Sequence, residues 1–123
     1  MPFEITYNDK DDYILAIFTG QIHMPMIREY LEALLPVLEE TGCRRLLSDS
    51  TQAQVHVTSA DIMQFPKMAE ASPLTAALKR AALASEGSSG YEMYETLSRM
   101  QGQELQVFTD RDEALHWLLS GTE

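Results

Sequence analysis

The residue types of a nucleophilic triad occur close together near the middle of the chain. Asp49, His56 and Ser59 could supply the carboxylate, imidazole and hydroxyl groups of an acyl-transfer site. However, no serine lies in the glycine pattern of a nucleophile elbow, and no motif marks an oxyanion hole. We therefore predict that the protein has no catalytic residues and is not an enzyme.

Polar side chains follow the third predicted strand, which spans Arg44 to Asp49. In open α/β sheets, ligands bind beside the carboxyl ends of parallel strands. The candidate residues of a binding loop at this edge are Asp49, Ser50, Thr51 and His56.

Thr58 and Ser59 are candidates for a regulatory or phosphate-binding site, because they begin a predicted helix. A helix N-terminus offers free N–H groups and the positive end of a dipole to a phosphate. Asp61 lies in the same first turn and would repel that phosphate. The alternative interpretation is that Thr58 and Ser59 only cap the helix, because Thr58–Asp61 resembles a capping box with Asp in place of Glu or Gln.

The residues that usually hold metals or phosphate cofactors are scattered. His23, His56 and His116 show no metal-ligand spacing, and Cys43 is the only cysteine. The segment Gly87–Gly90 lacks the lysine of a P-loop and the third glycine of a dinucleotide fingerprint. We predict no metal site and no cofactor.

Charge and hydropathy exclude two classes of partner. The 123 residues carry 19 acidic and 9 basic side chains, a net charge of −10, which repels nucleic acid. The pairs Arg44–Arg45 and Lys79–Arg80 are interpreted as solvated charges at the end of a sheet. No apolar run is long enough to insert into a membrane, and no secretory signal opens the chain, so we expect a cytoplasmic protein.

The elements that must position these residues begin with a hairpin. Residues Phe3 to Tyr7 alternate as an edge strand does, and Tyr13 to Phe18 form a strand that Gly20 should end. A helix is predicted from Pro25 to Thr41, with Gly42 as its left-handed C-cap. Its predicted core stripe consists of Ile27, Tyr30, Leu31, Leu34, Leu35 and Leu38.

The second half of the chain alternates strands and helices. After the third strand, residues 50–57 have no helical period and are predicted to be a loop before the helix at Thr58. A strand follows at Leu78–Ala84, and then a helix with Tyr91, Tyr94, Leu97 and Met100 on its core face and a serine as N-cap. The last strand is Leu105–Phe108. The final helix begins at Asp110, with Trp117 as a core anchor.

The predicted order is β-β-α-β-α-β-α-β-α, which defines the fold class. It corresponds to one α/β domain over residues 1–123, with a mostly parallel sheet of about five strands and about four helices. The N-terminal strand is the antiparallel edge.

Three features of the chain resemble the SpoIIAA-like family. They are the opening hairpin, Gly42 before the strand Arg44–Asp49, and the ending Val107–Leu118. This family shares its fold with the STAS domains of anti-sigma-factor antagonists and, more distantly, with CRAL-TRIO lipid carriers. The resemblance implies helices packed against the sheet and no cofactor.

The resemblance also assigns a candidate role to Ser59. The antagonists carry a regulatory serine in a motif that reads Asp-Ser-Ser-Gly-Leu, and the matching stretch here is Thr58–Ile62. Ser59 takes the place of the phosphorylated serine, but Thr58 replaces the Asp and Asp61 replaces the Gly. Most of the motif is therefore lost.

Two function hypotheses from different classes follow. The first is a non-catalytic binding or regulatory domain that contacts a protein partner through the helix at Thr58 and its preceding loop. The alternative is a small carrier of an apolar or lipid-like ligand, with methionine-bearing helices around a pocket. Self-association, including a homodimer paired through the edge strand Phe3–Tyr7, also stays open.

Overall fold

A computed structural model of the chain describes residues 2–120. Five strands and five helices alternate along them. In chain order they are β1 (Phe3–Asn8), β2 (Tyr13–Ile22), α1 (Met24–Thr41), β3 (Arg45–Val55), α2 (Ser59–Glu70), α3 (Pro73–Ala76), β4 (Lys79–Leu83), α4 (Tyr91–Met100), β5 (Glu104–Phe108) and α5 (Arg111–Leu119).

The strands form one sheet in the order β1-β2-β3-β4-β5. β1 pairs with β2 in antiparallel orientation, with Phe3 opposite Phe18, and every other pair is parallel. The predicted fold class, a mostly parallel sheet with an antiparallel N-terminal edge, is confirmed. The structure adds one short helix, α3, beyond the four that were predicted.

Helices cover both faces of the sheet. The first core lies between the sheet and α1, and it contains Leu46 and Leu34. The second core lies between the sheet and α5, and it contains Leu47, Ala81 and Leu118. Because neighbouring residues of a strand point to opposite faces, Leu46 and Leu47 belong to different cores. A central strand covered on both sides accounts for the continuous apolar runs in the sequence.

Two strands run further than predicted. Gly20 does not end β2, because the pairing with β3 shifts register between Ile17 and Thr19 and continues to Ile22 opposite Val55. The positive φ of Gly20, 75°, is compatible with this irregularity. Residues 50–55, predicted as a loop, are the second half of β3. Their polar side chains are tolerated because β4 ends opposite Asp49, so the extension lies mostly at the surface.

α1 follows its prediction closely. Pro25 lies in its first turn, and Gly42 adopts a left-handed φ of 68° and donates its N–H to the carbonyl of Leu38 at 3.0 Å. Buried Met26, Tyr30, Leu34 and Leu38 form one stripe along the helix. The predicted C-cap is confirmed.

Two predictions about the later helices are wrong. Met100 was assigned to the core of α4 but is 76% exposed, at the last residue of the helix. No serine caps α4; its N-cap is Gly90 at a left-handed φ of 89°. Trp117 packs against the second core, as predicted, but is only partly buried, with the ammonium of Lys79 4.6 Å from its ring centroid.

The C-cap of α1 gives the first testable prediction. Gly42→Ala forces a Cβ into a left-handed conformation and should lower the free energy of unfolding by about 1 kcal/mol. Glu32→Ala, at an exposed position on the same helix, should change it by only a few tenths of that amount. Urea unfolding followed by circular dichroism measures both. Equal effects would contradict the assigned role of Gly42.

Candidate functional site

The residues predicted to form a binding loop lie on a strand. Asp49, Ser50 and Thr51 belong to β3, and His56 directly follows it, so the loop assignment is wrong for the first three. Asp49 accepts hydrogen bonds from the backbone N–H (2.9 Å) and the hydroxyl (2.7 Å) of Thr51. Its other oxygen lies 3.5 Å from the guanidinium of Arg111 in α5. Asp49 therefore fixes the end of the sheet to α5.

The structure does not assemble the triad residue types. Within residues 2–120, no hydrogen bond joins the side chains of Asp49, His56 and Ser59. Asp49 is directed toward Arg111, whereas Ser59 is exposed in the first turn of α2. This arrangement offers no relay of protons from a serine to a carboxylate.

The start of α2 is a complete capping box. The hydroxyl of Thr58 accepts the backbone N–H of Asp61 at 3.1 Å, and the Asp61 carboxylate accepts the backbone N–H of Thr58 at 3.0 Å. The predicted box is confirmed. Asp61 brings a negative charge to the helix N-terminus, where a phosphate on the neighbouring Ser59 would meet repulsion.

A cavity of about 160 Å³ lies between part of the sheet and the helices α1, α2 and α4. Its walls are mainly apolar and include Phe18, Leu34, Leu46, Ile62, Phe65 and Leu78. Val55 and Ser89 also line it and are exposed, so the cavity reaches the surface beside them. Among the methionines of the predicted pocket, Met68 lines this cavity.

Arg80 extends from β4 into the cavity and is only 9% exposed. The interpretation of Lys79–Arg80 as solvated charges is therefore wrong for Arg80. Its guanidinium donates to the hydroxyl of Tyr94 at 3.2 Å and to the side-chain carbonyl of Gln103 at 2.5 Å. The amide of Gln103 in turn donates to Glu70 at 3.0 Å. Neutral groups thus hold the guanidinium in place.

Two residues that line the cavity carry a buried polar atom without a partner. Neither the hydroxyl of Tyr30 nor Nε of Arg80 has a hydrogen-bond partner within residues 2–120. Tyr30 is 8% exposed and belongs to α1, whereas Arg80 belongs to β4. Burial raises the pKa of Tyr30, so its hydroxyl keeps its proton at neutral pH.

Ser50 is the predicted candidate that reaches the cavity. Its hydroxyl bonds to the hydroxyl of Tyr91 and to the carbonyl of Leu83, the latter at 3.2 Å. Burial raises the pKa of Tyr91, although the bond to Ser50 opposes this effect. Asp49, Thr51 and His56 do not line the cavity. The structure therefore separates the predicted candidates into a cavity residue and three others.

Sequence reasoning missed Tyr30 and Arg80 as site residues. Tyr30 was assigned to the core stripe of α1, and Arg80 to a surface pair. The available signal was the alternation along β4, since Leu78, Arg80 and Ala82 share the face that carries the cavity. An arginine between two apolar residues on a buried face indicates a buried charge.

Residues 2–120 hold no cluster of three metal-ligating side chains. None of their helices is both long and apolar enough to cross a membrane. Cys43 is buried, and burial raises the pKa of its thiol, which disfavours the reactive thiolate.

No protein-family model and no curated protein match the sequence, but solved structures do. An uncharacterised protein of the DUF3478 family with a SpoIIAA-like fold, from Shewanella loihica, has a TM-score of 0.58 and 17% identity, covering 94% of this chain and 91% of its own. An anti-sigma factor antagonist from Mycobacterium paratuberculosis has a TM-score of 0.62 and 15% identity, covering 94% and 93%.

These likenesses span nearly the whole of each chain. At 15–17% identity they establish the fold and no more. The protein therefore has the SpoIIAA-like α/β fold that the resemblance in its sequence implied.

The capping box gives the second prediction. Thr58→Ala removes the acceptor for the Asp61 N–H and should lower the free energy of unfolding by about 1 kcal/mol. Ser59→Ala, one position further, is the matched control and should have almost no effect, because Ser59 does not take part in the box. Thermal unfolding of the two variants measures the difference. A larger loss for Ser59→Ala would show that Ser59 stabilises the helix start.

Proposed function

We propose that the protein is a non-catalytic binding domain that holds a small apolar molecule in the cavity between its helices and its sheet. The observation that carries the proposal is the cavity itself. Its volume of about 160 Å³ is close to the roughly 150 Å³ of an engineered apolar cavity that stays dry and binds benzene. A ligand of six to eight carbon atoms is the corresponding size.

The walls of the cavity support an apolar ligand. Leu34, Leu46 and Leu78 line the cavity and are almost fully buried, and Phe65 and Met68 of α2 add further apolar wall. Atoms at an empty cavity lose dispersion contacts, and a ligand that fills the space restores them. Binding should therefore stabilise the folded state, by an amount that rises with the logarithm of ligand concentration above the Kd.

A second candidate function is a regulatory domain that binds a protein partner through the start of α2. It is supported by the likeness in fold to the anti-sigma factor antagonist, and by the exposure of this surface. Met63, on α2, is 57% exposed, and Ser59 is exposed beside it. An exposed apolar side chain such as that of Met63 can be buried against a protein partner, which would stabilise the complex.

Filling the cavity tests the first candidate. Ala82 lines the cavity from β4 and is buried, so Ala82→Leu places three more carbon atoms in the space that a ligand would occupy. Hexanol should raise the melting temperature of the wild type and leave that of Ala82→Leu nearly unchanged. Ala71→Leu, the same change at an exposed position, should respond as the wild type does. Differential scanning calorimetry measures these shifts.

The absence of any shift in the wild type would contradict the proposed ligand. An equal shift in the wild type and Ala82→Leu would show that hexanol binds elsewhere on the protein.

A charge on α2 tests the second candidate. Met63→Asp should abolish recovery of a specific partner in a pull-down from the source organism, because a carboxylate in the contact surface must be desolvated. Met100→Asp, at a still more exposed methionine on α4, is the matched control and should recover the partner normally. Ser59→Asp adds the charge at the regulatory position. Failure of the wild type and Ser59→Asp to recover any specific partner would contradict this candidate.

A further inference from the structure

The sheet contributes a hydroxyl group to the floor of the cavity. Ser48 lies on β3 between Ala16 of β2 and Ala82 of β4, which are its register partners on the two neighbouring strands. Ala16 and Ala82 are 0% and 2% exposed, whereas Ser48 is only partly buried. Because a strand lies on each side of Ser48 and its side chain lines the cavity, the surface that it exposes borders the cavity.

The hydroxyl of Ser48 is both accessible and without a partner. No hydrogen bond within residues 2–120 involves it, and it is not enclosed by protein atoms as the hydroxyls of Tyr30 and Ser98 are. A serine hydroxyl can donate one hydrogen bond and accept two. Ser48 therefore offers a donor and an acceptor to a molecule in a space whose walls are mainly apolar.

The other polar side chains that the sheet directs to the cavity are already engaged. Ser50, the next residue in the same row, donates to the carbonyl of Leu83 at 3.2 Å. Since that carbonyl can only accept, Ser50 uses its proton there and accepts the hydrogen bond of the Tyr91 hydroxyl. The guanidinium of Arg80 donates to the hydroxyl of Tyr94, and the Nε that it leaves unpaired is enclosed. A ligand in the cavity would therefore find its polar contact at Ser48.

The chemistry of this floor and of the walls defines the class of ligand. A hydrocarbon that filled the space would leave the Ser48 hydroxyl covered and without a partner, which weakens the complex. A ligand hydroxyl can both donate and accept, as serine can, so the two groups pair in either direction. A charged head group would lose its hydration against the leucine and phenylalanine side chains of the walls.

We infer that the cavity binds a small neutral alcohol or phenol, with its hydroxyl at Ser48 and its hydrocarbon part against the apolar walls. The inference rests on the proposed binding function and adds the chemical class of the ligand.

The test compares phenol with toluene, which have the same shape and differ by a hydroxyl in place of a methyl group. Both are titrated into the wild type and into Ser48→Ala at neutral pH, and binding is measured by isothermal titration calorimetry. We expect Ser48→Ala to bind phenol about threefold to tenfold more weakly than the wild type, which is the effect of one hydrogen bond. It should bind toluene at least as tightly as the wild type, because its cavity no longer holds an unpaired hydroxyl.

Two further variants locate the site. Ala82→Leu fills the space beside Ser48 and should bind neither probe. Ser88→Ala, the same change at an exposed serine outside the cavity, is the matched control and should bind both probes as the wild type does. Ser48→Ala removes a hydroxyl that has no partner, so its melting temperature should equal or exceed that of the wild type.

The outcomes separate this inference from the proposed function. If toluene binds and the affinity for phenol is the same in the wild type and Ser48→Ala, the hydroxyl contact is overturned and an apolar ligand stays in place. Phenol binding that persists in Ala82→Leu would also overturn the inference, because phenol would then occupy another part of the protein. Binding of neither probe to the wild type would overturn both the inference and the proposed function.

Discussion

The structure depends on the alternation of side chains along two central strands that are covered on both faces. On β3, Leu46, Ser48 and Ser50 face the cavity, while Leu47 faces α5. Arg80 and Ala82 on β4, and Leu78 directly before it, face the cavity, while Lys79 donates to the carbonyl of Trp117 in α5 at 2.7 Å. Because the side-chain period of a strand is two, neighbouring residues point to opposite faces of the sheet and enter different cores. A shift of one residue would exchange the contents of the two cores.

This constraint also explains where the cavity lies. Ser48 and Ala82 lie opposite each other in the two cavity-facing rows, and both side chains are small. Larger residues precede them in each row, where Leu46 and Leu78 fill the space under α1. The space that remains lies between the helices and the sheet, and Arg80, between Leu78 and Ala82 in its row, also lines it.

The sequence predicts those parts of the fold that local interactions determine. The opening hairpin, the Gly42 cap and the Thr58 capping box each depend on residues a few positions apart, and each was predicted correctly. The extensions of β2 past Gly20 and of β3 past Asp49 were missed. The two extensions hydrogen-bond to each other, and neither segment has a strand pattern in its own sequence. The burial of Arg80 depends on α4 and on Gln103, distant in the chain. Such a site requires the tertiary structure.

The charges of the surface and the buried charge of Arg80 act over different distances. The net charge of −10 acts through water, where salt limits its reach to about 8 Å at physiological ionic strength. The guanidinium of Arg80 is buried, where charges interact more strongly than in water and are screened less. The hydrogen bonds that it donates to Tyr94 and Gln103 are therefore stronger than the same bonds at the surface. They join β4 to α4 and to the residue before β5, and this links elements that are distant in the chain.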